Sequence, residues 1–415
     1  MADTSKQYDI VLLGATGFTG KLTAQHIAEK LPTSLRWAIA GRNAKKLDDV
    51  LSDLTKRYPT RTAPAVEVVD QNVKELTALA RKTKLIISTV GPFHRHGTPV
   101  VEACATTGTH YIDSTGEAPW VKDMIDKYHD LAKSTGAIMI PQCGIDSVPS
   151  DLIAWALVEL VRKKLDAGVR DVVNGVTVFD FKPSGGTLLT MLTLLESFSF
   201  KQLGTSMRPF GLSPVPRPRA TATRPGTLLT KLFGYFRHPD IGTLTSWTMA
   251  ATNEAIVGRS WGLFDGGKHY GGSFRFGEFR KVRNVVVAMI MHFGLAFIAS
   301  LVAFPPARKL IQKLVVQPGS GPDPETTKGN RLEYRAVAVA DTSPPRKALA
   351  KFSYEGDGYY FTGLLLAEAA MVVLEGSDKV AAKQMGGGIL TPATLGDEYA
   401  DRLRRVGVQL EASML

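Results

Sequence analysis

Three glycines spaced three apart, Gly14, Gly17 and Gly20, separate an apolar run at 8–13 from a helical pattern. Glycine at such a turn admits close backbone approach to a diphosphate, and the open N–H groups of the helix start supply donors. Thr16, Phe18 and Thr19 fill the variable places; the threonine hydroxyls either add donors to a pyrophosphate or cap the helix. Where NAD-binding turns offer a carboxylate to the ribose 2′-hydroxyl, this chain has Gly41-Arg42, with Lys45 and Lys46 beyond. A carboxylate repels a 2′-phosphate, whereas a guanidinium grips it bidentately, so the expected cofactor is NADP(H) rather than NAD(H). The plain alternative for Arg42 is a solvated residue opening a helix. Asp70 closes a third strand and is read either as an adenine contact or as a loop cap. Gly91-Pro92 follows a fourth strand, where glycine lets the backbone near the nicotinamide ribose and proline stiffens the turn. Gly-Pro is also an ordinary loop signal.

A nicotinamide site further needs a polariser and a proton source, since the cofactor itself carries the hydride. His94, His96, Tyr111, Asp113, Glu117 and Asp146 lie near expected strand ends, and Tyr111, Asp146 and His94 are taken as the catalytic candidates. Asp113, in Asp-Ser-Thr-Gly, is read rather as part of a polar turn that caps the next helix. Asp146 and Ser147 either orient substrate or cap the next helix. Cys143 has no adjacent base to lower its thiol pKa and reads as a buried strand-end residue. The eight histidines form no ligand-spaced cluster, so no metal is expected. Ser184-Gly185-Gly186-Thr187 offers a second helix start that either holds an anionic part of a substrate or is a plain cap.

The elements that must position these residues alternate. Strands are expected at 8–14, 35–40, 66–69, 85–90, 110–113 and 137–141, with helices at 18–31, 45–58, 99–107 and 120–134. That alternation predicts a doubly wound parallel sheet with right-handed crossovers. Past residue 150 the pattern changes to an apolar helix at 151–160, a strand at 175–181, a pair of strands at 332–340 and 347–354, and a helix at 361–374. The fold class is thus α/β, a Rossmann sheet with a second, mixed α/β domain carrying an apolar membrane-associating segment. The expected units are 1–150 for the nucleotide, 151–345 for substrate and interactions, and 346–415 completing the second domain and packing back on the first. Within 151–345, residues 208–225 form a basic, proline-rich stretch read as a mobile loop.

Residues 285–304 are twenty in a row without a formal charge, flanked by Arg280, Lys281 and Arg283 before and Arg308, Lys309 and Lys313 after. A helix of that length matches the thickness of a hydrocarbon core. A single crossing would leave the two halves of one fold on opposite sides of a membrane. The segment is therefore read as a monotopic element, a helix pair broken near Gly294 and dipped into one leaflet or a droplet monolayer. A buried core helix or a homodimer contact is the alternative.

Over 415 residues, with 44% apolar and 21% charged, the chain is an ordinary folded protein long enough for two domains. Its net charge of +11 suits phosphate-bearing cofactors, acyl carriers or anionic membranes. The basic residues are dispersed and no reading motif is present, so nucleic acid is not an expected partner. Two cysteines exclude a disulfide framework and, with a first strand at residue 8, suggest an intracellular protein without a signal peptide.

Together, GATGFTG at 14–20, AGR at 40–42, TVGPF at 89–93, HYIDSTGE at 110–117, CGIDSVPSDL at 143–152, SGGT at 184–187 and GGILTPA at 387–393 resemble the saccharopine dehydrogenase-like oxidoreductases. The match is strongest to the branch with the mycobacterial trans-acting enoyl reductases and covers nearly the whole chain. The resemblance implies NADP(H), a membrane or lipid-droplet location, and work in lipid or glycolipid biosynthesis. It carries nucleotide roles onto Gly14, Thr16, Gly17, Phe18, Thr19, Gly20, Arg42, Gly91 and Pro92. The expected reaction is NADPH-dependent reduction of an enoyl or carbonyl group on a small-molecule or carrier-bound acyl substrate. A non-catalytic nucleotide-binding scaffold on lipid and an amino-acid imine reductase are the alternatives; the charge-free run argues against an amino-acid substrate.

Overall fold

Along Tyr8–Leu13 (β1), Ile10 and Leu12 enter one apolar core while Val11 and Leu13 enter another. A strand covered on both faces has to lie inside a sheet with helices on either side. The computed structural model, which describes residues 6–181, 183, 185–217, 230, 232–314, 324–327 and 329–415, places it there. β1 lies between β2 (Trp37–Gly41) and β4 (Thr83–Ser88), with β3 (Ala65–Val68) outside β2 and β5 (His110–Asp113) and β6 (Ile138–Ile140) beyond β4. Every neighbouring pair is parallel. Helices α1 (Phe18–Lys30), α2 (Ala44–Arg57), α3 (Val73–Lys82), α4 (Thr98–Thr107) and α5 (Ala118–Thr135) make the crossovers. Asn43 and Asn72 cap α2 and α3, their side chains accepting from the N–H groups of Lys46 and Glu75. Strand order reverses between β1 and β4, so their carboxyl ends open a crevice.

After α6 (Val148–Leu165), a second sheet is built from β7 (Val169–Phe179), β8 (Tyr235–His238), β9 (Gly242–Thr245), β10 (Phe276–Val282), β11 (Arg331–Ala340) and β12 (Lys347–Glu355). Only β7 and β10 run parallel; the other pairs are antiparallel. Its helices are α7 (Gly185–Ser197), α8 (Phe200–Ser206), α9 (Ala250–Leu263), α10 (Val285–Ala303) and α11 (Pro305–Leu314). The chain then returns. α12 (Gly358–Glu375) lies on α1 so closely that a Cβ on Gly363 would stand 2.8 Å from Thr23 Cα. β13 (Gly388–Ile389) joins the first sheet beside β6, α13 (Gly396–Arg405) follows, and β14 (Gln409–Met414) closes the second sheet on β12.

Residues 218–225 of the basic, proline-rich stretch lie outside the described residues; 208–217 form turns, with Phe210 edge-on to Trp261 at 5.0 Å. The expected break at Gly294 is absent. α10 is one continuous helix, and the turn comes at Phe304-Pro305, where a proline opens α11. Nor is α10 a core helix, because Ala288 is its single buried residue and Ile290, Phe297 and Ile298 are all exposed.

Candidate active site

The glycine turn is shaped by contacts with strand ends. Gly14 takes φ of 88°, and a Cβ there would meet Val90 Cγ2 at 2.8 Å. A Cβ on Gly20 would fall 2.2 Å from the Gly14 carbonyl oxygen, so α1 approaches β1 only because the residue is glycine. Gly17 occupies the cap position of α1, no side chain caps it, and no acid stands in its first turn. Thr16 and Thr19 therefore leave the first-turn N–H groups open, which is the arrangement an anion uses. Thr89 locks the neighbouring strand end: its Oγ1 donates to the carbonyls of Leu13 at 3.1 Å and Gly14 at 3.2 Å.

Arg42 is exposed at the end of β2 and makes no ion pair among the described residues. Burial first, then the positive charges of Arg42 and Arg95, hold His96 below its usual pKa. Asp70 is exposed at the end of the edge strand, its N–H donating to Glu75 Oε2 at 2.7 Å. Gly91 is exposed, and a Cβ there would meet only the Phe93 ring at 3.7 Å; packing does not demand the glycine. Pro92 leads into a helical turn, Phe93–His96. The glycine turn, the free guanidinium and the open loop fit a dinucleotide phosphorylated at the 2′ position.

The proton candidates separate. Tyr111 is taken out of the site: its ring is buried beneath the sheet and its hydroxyl donates to Asp113 Oδ2 at 2.7 Å. Burial, followed by the Asp113 charge, pushes its hydroxyl pKa well up. It lies two residues short of the carboxyl end of β5, on the same pleat face as Asp113, and its ring packs among Val101, Trp120 and Met124 rather than at the crevice. Asp113 holds the turn but does not cap the next helix: its Oδ1 accepts from the N–H groups of Thr115 at 2.8 Å and Gln142 at 3.0 Å, while α5 has Glu117 at its cap position and no side-chain cap. Desolvation raises its carboxyl to about 7. Cys143 is buried, 3.6 Å from the Tyr399 hydroxyl, and its thiol is pushed up to about 12 by burial.

His94 is held by Glu117. The carboxylate accepts from the N–H groups of Phe93 at 2.8 Å and His94 at 2.7 Å, and from His94 Nδ1 at 2.7 Å. The ring is buried with Nε2 left without a partner, edge-on to Phe198 at 6.1 Å. Glu117, not His94, reaches the wall of the cleft. Asp146 is half-buried on that wall; its carbonyl accepts from Asn253 Nδ2 at 2.8 Å, while its carboxylate has no hydrogen bond among the described residues. Desolvation alone raises that carboxyl to about 6.

The cleft holds about 590 Å³ between the two sheets. Gly17, Phe18, Thr19, Thr89 and Gly91 form its nucleotide end. Opposite stands an apolar wall of Met191, Leu194, Leu195, Leu203, Met207 and Met249. Sequence reasoning passed over this wall, although the run Leu188–Leu195 behind the Gly-Gly pair carries its signal. Gly186 lines the cleft, whereas Ser184 and the Thr187 side chain lie outside the described residues.

Residues 10–140 match the saccharopine dehydrogenase NADP binding domain. Over the full length of both chains, the protein is 34% identical to a Mycobacterium tuberculosis protein provisionally named a trans-acting enoyl reductase. It is 31% identical, again over both full lengths, to the trans-acting enoyl reductase of Mycobacterium bovis. Its fold matches the apo saccharopine dehydrogenase (L-Glu forming) of Saccharomyces cerevisiae with a TM-score of 0.58, covering 98% of this chain and 100% of that one at 12% identity.

Proposed function

Since this chain belongs to the saccharopine dehydrogenase-like oxidoreductases, in the branch of the trans-acting enoyl reductases, we propose that it reduces an enoyl or carbonyl group of a lipid or polyketide-type acyl substrate in lipid or glycolipid synthesis. It is an NADP-dependent oxidoreductase, and bound NADPH supplies the hydride. The observation that carries the substrate reading is a single cleft with the glycine turn at one end and an apolar wall at the other.

The chain's own groups divide the remaining work. The open N–H groups of α1 hold the diphosphate, Arg42 engages the 2′-phosphate, and Gly91 gives the ribose room. Asp146 carries the proton: it lines the cleft, its carboxylate has no hydrogen bond among the described residues, and burial raises it to about 6. Glu117 positions the loop through Phe93 and His94. The apolar wall excludes water from the reacting end. No lysine or arginine stands among the described residues lining the cleft, so nothing there clamps an amino-acid carboxylate, which disfavours an imine reductase.

We place the protein at a membrane or lipid-droplet surface through α10. The strands on either side of this helix, β10 and β11, both flank β7 in one sheet, so the chain leaves and returns on the same side. A monotopic insertion satisfies that topology. NADPH oxidation by the purified protein with enoyl thioesters of increasing chain length tests the reaction; turnover rising with chain length is expected. Tight NADPH binding with no oxidation across the series would instead leave a nucleotide-binding scaffold.

A further inference from the structure

We infer that the cleft opens onto the lipid surface and takes its acyl chain laterally from the bilayer, past Met191. This rests on the membrane placement above and adds the route by which substrate enters. α10 is 19 residues long, with a mean hydropathy of 2.4, and is apolar on every side. A helix made to dock on a second copy needs one apolar stripe; one apolar all round suits hydrocarbon. Arg283 before it and Lys309 after it are exposed, matching anionic headgroups. Its first half is fastened to the second sheet: Thr245 Oγ1 donates to the Ala288 carbonyl at 2.9 Å, and Ser246 Oγ lies 2.8 Å from His292 Nδ1.

α10 and α11 also pack on α7, and one side chain of α7 joins it to α11 and to the loop after β4. Glu196 on α7 accepts from Gln312 Nε2 at 2.8 Å, stands 3.7 Å from Arg308 on α11, and pairs with Arg95 at 3.1 Å in the loop that carries His94. α7 is also a wall of the cleft, through Thr190, Met191 and Leu194. Met191 is at once a wall residue and 45% exposed, which puts it at the mouth. Phe200, 74% exposed, opens α8, whose Leu203 lines the same wall. Apolar groups exposed at the mouth of an apolar cleft, on α7 that packs against the lipid-seeking helix and on the neighbouring α8, spare an acyl chain any passage through water.

Cys104 and Cys143 are fully buried, so an introduced surface thiol can be labelled selectively. Met191→Cys, Phe200→Cys, Phe297→Cys and Lys56→Cys, each shown to bind NADPH, are labelled with bimane. Each is then mixed with phosphatidylcholine vesicles, one-third phosphatidylglycerol, carrying acyl chains brominated near the headgroup. Severalfold quenching at 297, 191 and 200, with none at 56 on α2, is the expected result. Quenching at 297 without quenching at 191 and 200 overturns the lateral route while the membrane placement stands. No quenching at 297 removes both; a doubled mass in solution would then make α10 a contact between subunits.

Discussion

Asp146 separates function from stability at one atom pair. Its folded pKa, about 6, is raised above the ordinary 3.8, so the folded protein binds that proton more tightly than the unfolded chain. The associated stability is complete below 3.8 and is lost as pH rises through about 6. Asp146→Asn should therefore raise the melting temperature at neutral pH and leave it unchanged in acid, while NADPH oxidation falls and loses its limb near pH 6. Unaltered turnover in this variant would reassign the proton to another group. At the other end of the cofactor, Arg42→Ala should weaken NADPH by about 1.5–3 kcal/mol, the value of hydrogen bonds to a charged group, and leave NADH almost untouched. Calorimetric titration with both coenzymes measures the difference, and equal losses would remove Arg42 from the 2′-phosphate. Residue types near strand ends were readable from the chain, but their facing was not. Tyr111 and Asp146 looked alike as candidates until packing sent one into the core and the other into the cleft.

At the scale of elements, the approach of α1 to β1 depends on the absence of one methyl group. Gly20→Ala would drive a Cβ into the Gly14 carbonyl, where neither backbone can yield without tilting the helix. Overpacking of this kind costs about 1–3 kcal/mol, and the tilt should also lower NADPH affinity; urea unfolding and titration read the two effects separately. β1 to β6 were legible to within a few residues each because the central strands are covered on both faces and α2 and α3 carry apolar stripes and asparagine caps, whereas the two-residue β13 was too short to read. β8 and β9, four residues each, and β14 carry too little periodicity to stand out. The expected break in α10 failed for a related reason: glycine inside a strongly apolar helix lowers its propensity without ending it, whereas Pro305 does end it.

Across the whole molecule, the carboxyl-terminal quarter holds the two sheets together. One apolar core runs from Ile10 and Ile39 through Leu152 to Phe352 and Leu365, so the domains share an interior. Beside it, Glu368 on α12 stands 3.0 Å from His26 Nε2 on the nucleotide helix and accepts from Arg402 Nε on α13 at 2.8 Å. His26 Nδ1 meets the Tyr360 hydroxyl at 3.1 Å. Glu368→Ala leaves the buried His26 and the partly exposed Arg402 without their shared partner and should cost about 1–3 kcal/mol. Because the core is shared, tryptophan fluorescence and circular dichroism should still report one coincident unfolding transition, at lower denaturant; two separated transitions would show that the sheets unfold independently.

Local spacing by itself pointed to an NADP-binding unit at the amino-terminal end of this protein, which the matching domain family bears out. A glycine turn, a basic residue after the second strand and alternating elements are short-range features, each written within a few dozen consecutive residues. The cleft is not local. Its apolar wall, its carboxyls and its mouth come from α7 and α8 and from the segments that lead into α5, α6 and α9, brought together when β7 and β10 pair across a hundred residues and β13 returns to the first sheet. Which face a side chain presents depends on those distant contacts, so only the tertiary structure separates the buried Tyr111 from Asp146 on the cleft and packs α10 against α7.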